Sequence, residues 1–194
     1  MGSIKKIRKK YSKPAHPWRS VRIEEENQIC IDYGIPKKTE IWKTIAKLES
    51  YKNQTKKLSS LKTPQAIMEM NNLVGKLKSY NLIQNNTSDE ILGITLKNLL
   101  DRRLQTIVFK KNLTKSMKQA RQLINHRHIL VSNKIISSPS YLVKVSEENS
   151  IEISPKSPFY DVAHPERTKE ATKRVMKKKV KEYGSSPRGK RRNK

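Results

Sequence analysis

Cysteine, acidic side chains and long apolar segments are all scarce in this chain of 194 residues. The single cysteine, Cys30, excludes an internal disulfide and a cysteine-rich zinc site, and it is expected to be a small core residue in a helix. No apolar run approaches the roughly 18 residues that a membrane-spanning helix needs. The first residues lack the apolar core of a signal sequence, so the sequence predicts neither membrane insertion nor export.

The shortage of acidic residues gives the chain a net charge of +26, with 43 basic and 17 acidic side chains. Residues 1–22 contain eight basic and no acidic side chains, whereas residues 23–100 contain eleven and nine. Residues 101–153 contain ten and four, and residues 154–194 contain fourteen and four. Charge of this size and distribution indicates a polyanionic partner, and it predicts basic arms that order only against nucleic acid.

No catalytic or cofactor-binding pattern is present. Gly75–Lys76 lacks the earlier glycine and the following Ser or Thr of a phosphate-binding loop. His126 and His128 have no evident third ligand, which favours RNA contact or helix capping over metal binding. The sequence therefore predicts a protein that is not an enzyme, with no cofactor, no metal and no small-molecule substrate.

Residues 20–100 show helical periodicity with little net charge. A helix over 21–33 is closed by Gly34, a second helix is capped by Thr39, and a third begins at Thr63–Pro64. The apolar stripe of the third helix is formed by Ile67, Met70, Val74 and Leu77.

Residues 101–153 combine two helices with strands. The pattern predicts one helix whose apolar stripe contains Leu96, Leu99, Leu100, Leu104, Ile107 and Val108. Asn112 tolerates the left-handed conformation and ends this helix. Ser116 begins the next helix and forms a capping box with Gln119. The buried face of that helix is formed by Ala120, Leu123 and Ile124.

After His126 the apolar period changes from helical to alternating. Ile129 and Val131 lead into a tight turn at 132–134, and the chain returns through Ile135 and Ile136. A third strand is predicted from Tyr141, Val143 and Val145, and a fourth from Ile151 and Ile153.

The predicted fold class is α+β, with a helical subdomain and a small RNA-binding platform of two helices on a short antiparallel sheet. The predicted boundaries are a basic N-terminal arm over 1–19, the helical subdomain over 20–100, the platform over 101–153 and a basic tail over 154–194. The arms are expected to be extended, and Phe159 and Tyr160 are expected to anchor the start of the tail.

The outer face of the second platform helix carries hydrogen-bond donors and no carboxylate. Such a face beside a helix N-terminus suits phosphate groups, although a solvated face is the alternative. In the N-terminal arm, cations alternate with aromatic rings that could stack on unpaired bases, although a disordered tail is the alternative. The candidate RNA-binding residues are Lys9, Lys10, Tyr11, Trp18, Arg102, Arg103, Lys115, Ser116, Lys118, Gln119, Arg121, Gln122, His126, Arg127, His128 and Lys134.

Several short motifs of the platform carry a family resemblance. The order LTKS, RQLI, HRHI and PSYLV between residues 113 and 143 resembles the small RNA-binding domain named after ribosomal protein S4. The run DRRLQTIVFKKNLTKS and the N-terminal KKYSKPAHPW are similar to the archaeal-type branch of that family. The family usually has Gly at Asn112, and many members have Gly at Arg127 and Lys134. Bacterial members often carry Arg at Met117.

This resemblance implies a structural constituent of the small ribosomal subunit, located on cytoplasmic ribosomes. It implies early binding to ribosomal RNA at a junction of several helices, near the messenger RNA entry and decoding region. It also implies neighbouring ribosomal proteins as partners, including one similar to uS5.

Three alternatives remain at this point. The first is the related nucleolar-type protein of the pre-ribosome, which has the same domain. The second is an RNA-modifying enzyme or synthetase with the domain appended, which would need a catalytic domain of 150 residues or more. The third is a DNA-compacting protein, which would not need a patterned hairpin.

Overall fold

The computed structural model describes residues 9–85, 87–161 and 164, and within them it confirms the predicted α+β class. The helices in chain order are α1 (Ser20–Asp32), α2 (Lys38–Ser60), α3 (Pro64–Ser79), α4 (Ser88–Gly93), α5 (Leu96–Asp101), α6 (Leu104–Lys110), α7 (Met117–Asn125) and α8 (Val145–Glu148). The strands are β1 (Ile129–Val131), β2 (Lys134–Ile135) and β3 (Ile151–Ile153), and a 3₁₀ helix follows at Pro158–Tyr160.

The turn after α1 brings the helical part of the chain against α7. Gly34 has φ +59°, and the N–H of Ile35 donates to the carbonyl of Cys30 at 2.9 Å, which confirms the predicted glycine stop. A Cβ at Gly34 would lie 2.9 Å from the Cβ of Met117. A side chain at position 34 would therefore be strained both by φ and by the close approach of α7.

The starts of α2 and α3 test two predicted caps. Helix α2 begins at Lys38, one residue before Thr39, so the predicted cap is wrong. Helix α3 begins as predicted, because the Thr63 hydroxyl accepts a hydrogen bond from the N–H of Ala66 at 3.3 Å.

The buried face of α3 is rotated relative to the predicted stripe. Its buried residues are Ala66, Leu73, Val74 and Leu77. Ile67 is 57% exposed, so its place in the predicted stripe is wrong. Position 67 lies seven residues before Val74, at the edge of the buried face and near the first turn of α3, where its side chain stays exposed.

The single helix predicted to run through the stripe of residues 96–108 is two helices, α5 and α6. They are separated at Arg102 and Arg103, where the N–H of Leu104 donates to the carbonyl of Tyr141 at 2.8 Å. The Thr106 hydroxyl donates to the carbonyl of Leu100 at 2.8 Å across the break. The buried residues of α5 and α6 belong to three separate core clusters, so the apolar period continues through the interruption although the helix does not.

The platform core lies between α6, α7 and the sheet. It contains Leu104, Ile107, Val108, Ala120, Leu123, Ile124, Ile129, Val131, Val143, Ile151 and Ile153. The predicted buried face of α7 is therefore confirmed. Asn112 has φ +56° and follows α6, which confirms the predicted helix end.

The start of α7 differs from a capping box in one contact. The Ser116 hydroxyl accepts from the N–H of Gln119 at 3.2 Å, as predicted. The Gln119 side chain, however, accepts from the N–H of Lys115 at 2.8 Å, one residue before the predicted donor.

The sheet has the order β2-β1-β3, and both pairs are antiparallel. The hairpin turn has φ +47° at Ser132 and +63° at Asn133, which is the pattern of a type I′ turn. The predicted hairpin and the strand through Ile151 and Ile153 are confirmed, since Val131 pairs with Ile151 and Ile129 pairs with Ile153.

The third predicted strand is wrong. Leu142 forms only an isolated bridge with Arg103, and Val145 begins α8. Glu147 explains the change, because its carboxylate accepts from the Tyr141 hydroxyl at 2.9 Å and from the N–H of Lys144 at 3.3 Å. These bonds turn the chain into a helix where alternation alone predicted a strand.

Past β3, Phe159 is partly buried and packs against the platform core, whereas Tyr160 is 56% exposed. Of the two residues predicted to anchor the tail, Phe159 is therefore the one that packs against the platform core. Residues 1–8 and most of the basic tail lie outside the described residues. The boundaries at 20, 101 and 154 remain predictions.

Candidate nucleic-acid interface

The outer side of α7 and the hairpin carry the exposed members of the predicted site. Lys118, Gln122, Arg127 and Lys134 are exposed, and the sequence from 115 to 134 contains no carboxylate. Lys115, Ser116 and Gln119 lie at the N-terminal end of the same helix, where the helix dipole favours an anion. We call the side chains at 115, 116, 118, 119, 122, 127 and 134 the donor surface.

The two histidines at the end of α7 are arranged as aromatic surfaces. The rings of His126 and His128 are stacked with centroids 6.2 Å apart and an interplanar angle of 6°. The rings of His128 and Phe159 are in a T-shaped arrangement with centroids 5.3 Å apart. Burial, and then the charge of His126, lower the pKa of His128. His128 is therefore neutral at neutral pH, and its ring offers stacking more than charge.

Arg103 and Arg121 lie away from the donor surface, around Glu40 of α2. Arg103 donates to Glu40 at 2.7 Å, and Arg121 donates to both carboxylate oxygens at 2.6 and 3.1 Å. Burial alone would raise the pKa of Glu40, but the hydrogen bonds from Arg121 and Arg103 outweigh it and hold that pKa below its ordinary value. Two of the candidate RNA-binding residues are therefore tied to a carboxylate of the fold, Arg121 by two hydrogen bonds and Arg103 by one, and Arg103 is only 3% exposed.

Arg102 is also held inside the fold. Its guanidinium donates to Glu148 at 2.9 Å and to the carbonyl of Val143 at 3.1 Å, and 12% of its side chain is exposed. The arginines at 102, 103 and 121 thus connect elements of the fold. We call them the internal arginines.

In the N-terminal arm, Lys9 and Lys10 are exposed, and Tyr11 meets Trp42 of α2 with ring centroids 6.0 Å apart. Trp18 is 91% exposed. Arg22 fixes the bend of the arm, because its guanidinium donates to the carbonyls of residues 16 and 17 at 3.0 and 2.8 Å. The described part of the arm is therefore placed along α1 and α2, with its cations outward.

Sequence reasoning missed two residues that join the helical part to the platform. Glu40 is one, and Gln105 is the other. The buried Gln105 amide donates to the carbonyls of Tyr33 at 3.1 Å, Gly34 at 3.3 Å and Met117 at 2.8 Å. No local pattern indicates such partners, because they lie far away in the sequence.

In the described ranges, no group of three His, Cys, Asp or Glu side chains could hold a metal ion. Across the same part of the chain, no helix is both long and apolar enough to cross a membrane.

The geometry thus defines a small α+β protein with an outward-facing set of hydrogen-bond donors on a helix-and-hairpin platform. The family comparison gives this class its name, since residues 102–149 match the S4 domain. The structural platform and the matched segment coincide over α6, α7 and the hairpin.

The chain is 45% identical over 170 residues to the small ribosomal subunit protein uS4 of Methanococcus maripaludis, covering 87% of this chain and 96% of that protein. It is 43% identical over 171 residues to the same protein of Picrophilus torridus, covering 86% and 93%. For Thermoplasma acidophilum the identity is 43% over 171 residues, covering 86% of each chain. The chain therefore belongs to the uS4 family of small ribosomal subunit proteins.

These findings confirm the resemblance to the archaeal-type S4 family. The names of the relatives also agree with the expectation of a ribosomal protein and not an enzyme. Two of the positions where family members often have Gly have positive φ here, +56° at Asn112 and +63° at Arg127. At the hairpin the positive φ values belong to Ser132 and Asn133, and φ at Lys134 is not positive. Lysine is therefore unstrained where many family members have Gly.

Proposed function

We propose that this protein is a structural constituent of the small ribosomal subunit and binds small-subunit ribosomal RNA through its S4 domain. The donor surface is the observation that carries this proposal. It presents amide, hydroxyl and cationic groups from α7 and the hairpin, with no carboxylate in the segment that forms it. Its residues Lys118, Gln122, Arg127 and Lys134 are exposed, whereas Ser116 and Gln119 also make the hydrogen bonds that start α7.

The chemistry of the donor surface matches folded RNA. Lys118, Arg127 and Lys134 supply charge for phosphates, and Gln122 can donate to phosphate or 2′-hydroxyl oxygens. The stacked rings of His126 and His128 add a flat aromatic surface for an unpaired base. Binding by these groups reads shape and backbone more than sequence.

We extend the proposal to the place of the protein in the subunit. The family resemblance supports binding early in assembly, at a junction of several RNA helices. It also supports a location near the messenger RNA entry and decoding region, beside a uS5-like ribosomal protein. The basic arms, with Lys9, Lys10 and Trp18 outward, are suited to follow RNA away from the S4 domain.

The test compares binding of the full chain to small-subunit ribosomal RNA and to an unrelated duplex of equal length. The variant Lys118→Gln/Lys134→Gln should weaken binding to ribosomal RNA. It should also reduce the salt slope, which is the slope of log affinity against log salt concentration, by the amount expected for about two phosphate contacts. The matched control is Lys62→Gln/Lys78→Gln, which removes the same charge from exposed positions outside the S4 domain. Equal affinity of the wild-type chain for both RNAs would overturn the proposal.

A further inference from the structure

Two lysines of α2 are left unpaired by the fold. Lys43 and Lys47 are exposed, and within the described part of the chain neither belongs to an ion pair. They are one helical turn apart, where like charges destabilise a helix by a few tenths of a kcal/mol. The pair therefore opposes the stability of the helix that carries it.

Lys43 and Lys47 line two adjoining clefts. The first has a volume of about 390 Å³ and lies between α2 and the S4 domain, where Arg121 and Ser140 form part of its wall. The second has a volume of about 780 Å³ and is lined by Lys9, Lys10 and Tyr11 of the arm, among others. Because both clefts share the same two lysines, they adjoin along α2 between the S4 domain and the arm. We call the two clefts together the α2 groove.

The charge of the α2 groove is strongly positive. Among the described residues, Glu40 is the one carboxylate that lines it, and the ion pairs with Arg103 and Arg121 already neutralise it. Lys43 and Lys47 then remain without a counter-charge. A concave surface with unopposed cations concentrates anions.

The surroundings of Lys47 show the same imbalance. The packing around its ammonium lowers the pKa of Lys47, and the charge of Lys76 lowers it further. An anion in the groove would offset both effects, because it would favour the charged form of the lysine.

We propose that the α2 groove binds the phosphodiester backbone of an RNA strand, with Lys43 and Lys47 contacting neighbouring phosphates. This rests on the proposed function, because the strand in the groove would continue RNA that is bound by the S4 domain. The lysines are one helical turn apart, a spacing comparable to that of successive phosphates in a single strand. The arm cations Lys9 and Lys10 line the same groove at its far end, so they would contact the same strand.

The test uses two double variants with the same charge change on the same helix. Lys43→Gln/Lys47→Gln removes the groove cations, and Lys56→Gln/Lys57→Gln removes two exposed lysines nearer the C-terminal end of α2. Affinity of the full chain for small-subunit ribosomal RNA is measured over a series of salt concentrations. Loss of two phosphate contacts should reduce the slope of log affinity against log salt by about 1.4–1.8 in the groove variant. The control slope should stay within about 0.3 of wild type.

Thermal melting of both variants should match wild type, which separates loss of binding from loss of fold. Equal reductions of slope in the two variants would overturn the proposal that RNA binds in the α2 groove, since non-specific attraction between RNA and any lysine of α2 would explain them. An unchanged slope in the groove variant would also overturn it. Weakened binding of an acidic peptide with unchanged RNA binding would show that the groove takes protein and would overturn the proposal as well. In each case specific binding of wild type to ribosomal RNA would leave the proposed function standing.

Discussion

The S4 domain carries two sets of cations that the sequence does not distinguish. The internal arginines are bonded to Glu40 and Glu148, whereas the cations of the donor surface face outward. Arg121 and Lys118 illustrate the contrast, because they lie on the same helix and both belong to the predicted site. The difference between them is the carboxylate that α2 supplies to Arg121. Charge alone therefore does not mark an RNA contact, and the position of a distant acidic residue decides which cations remain available.

The largest expected effect on stability comes from removing Glu40, the partner of two of the internal arginines. The change Glu40→Ala leaves Arg103, which is 3% exposed, and Arg121 without their carboxylate. We expect the free energy of unfolding to fall by roughly 3–5 kcal/mol, the range for breaking a buried ion pair from one side. Urea denaturation measures this change. The control is Glu49→Ala, which is exposed on the same helix and should change stability by less than about 0.5 kcal/mol.

A loss below about 1 kcal/mol in Glu40→Ala would contradict this account, since it would mean that the two guanidinium groups find other partners. It would also return Arg121 to the set of cations that are free to meet RNA.

Acidification should weaken the same contact. The pKa of Glu40 is held below its ordinary value of 4.5, so the carboxylate binds a proton more readily in the unfolded chain than in the folded one. Its contribution to stability is therefore complete above about pH 4.5 and is lost as the pH falls through the lowered pKa. Denaturation of wild type and Glu40→Gln between pH 3 and pH 7 checks this. The difference in stability between them should shrink at the acidic end, and a constant difference would contradict it.

Arg121 and Lys118 should then give opposite results when each is replaced by Ala. Arg121→Ala removes two charge-assisted hydrogen bonds, so the free energy of unfolding should fall by about 1–3 kcal/mol. Lys118→Ala should leave stability within about 0.5 kcal/mol and reduce the salt slope of RNA binding by about one phosphate. Melting curves and salt titrations of the same preparations separate the two effects. If both variants melt like wild type, the division between the internal arginines and the donor surface is wrong.

Local signals in the sequence predicted most of the elements. The Thr63 and Ser116 caps, the left-handed Asn112 and the hairpin at Ser132–Asn133 all depend on residues close together in the chain. The errors have two sources. The helix break at Arg103 depends on a hydrogen bond from Leu104 to Tyr141, which is distant in the sequence. The lost third strand depends on local bonds from Tyr141 and Lys144 to Glu147, which override the alternating pattern.

The candidate site shows the same limit. The outer face of α7 followed from helical spacing and from the absence of carboxylates between residues 115 and 134. Glu40 did not, because it lies 63 residues from Arg103 and 81 from Arg121 in the sequence. The lysine pair of the α2 groove could have been noticed from its spacing, but only the fold places it beside the S4 domain.

The smallest expected effect concerns Arg127, a residue of the donor surface. Arg127 has φ +63°, a conformation that disfavours a non-glycine residue by roughly 1–2 kcal/mol. Glycine would remove this strain, but it also loses more backbone entropy on folding, which offsets part of the gain. Arg127→Gly should therefore raise the free energy of unfolding by about 1 kcal/mol or less. The control Lys118→Gly lies inside α7 and should lower it by about 0.5–1 kcal/mol. Both variants remove one outward cation, so both should reduce the salt slope of RNA binding similarly. A destabilised Arg127→Gly would instead show that the Arg127 side chain supports the fold. Arg127 would then belong with the internal arginines and not with the donor surface.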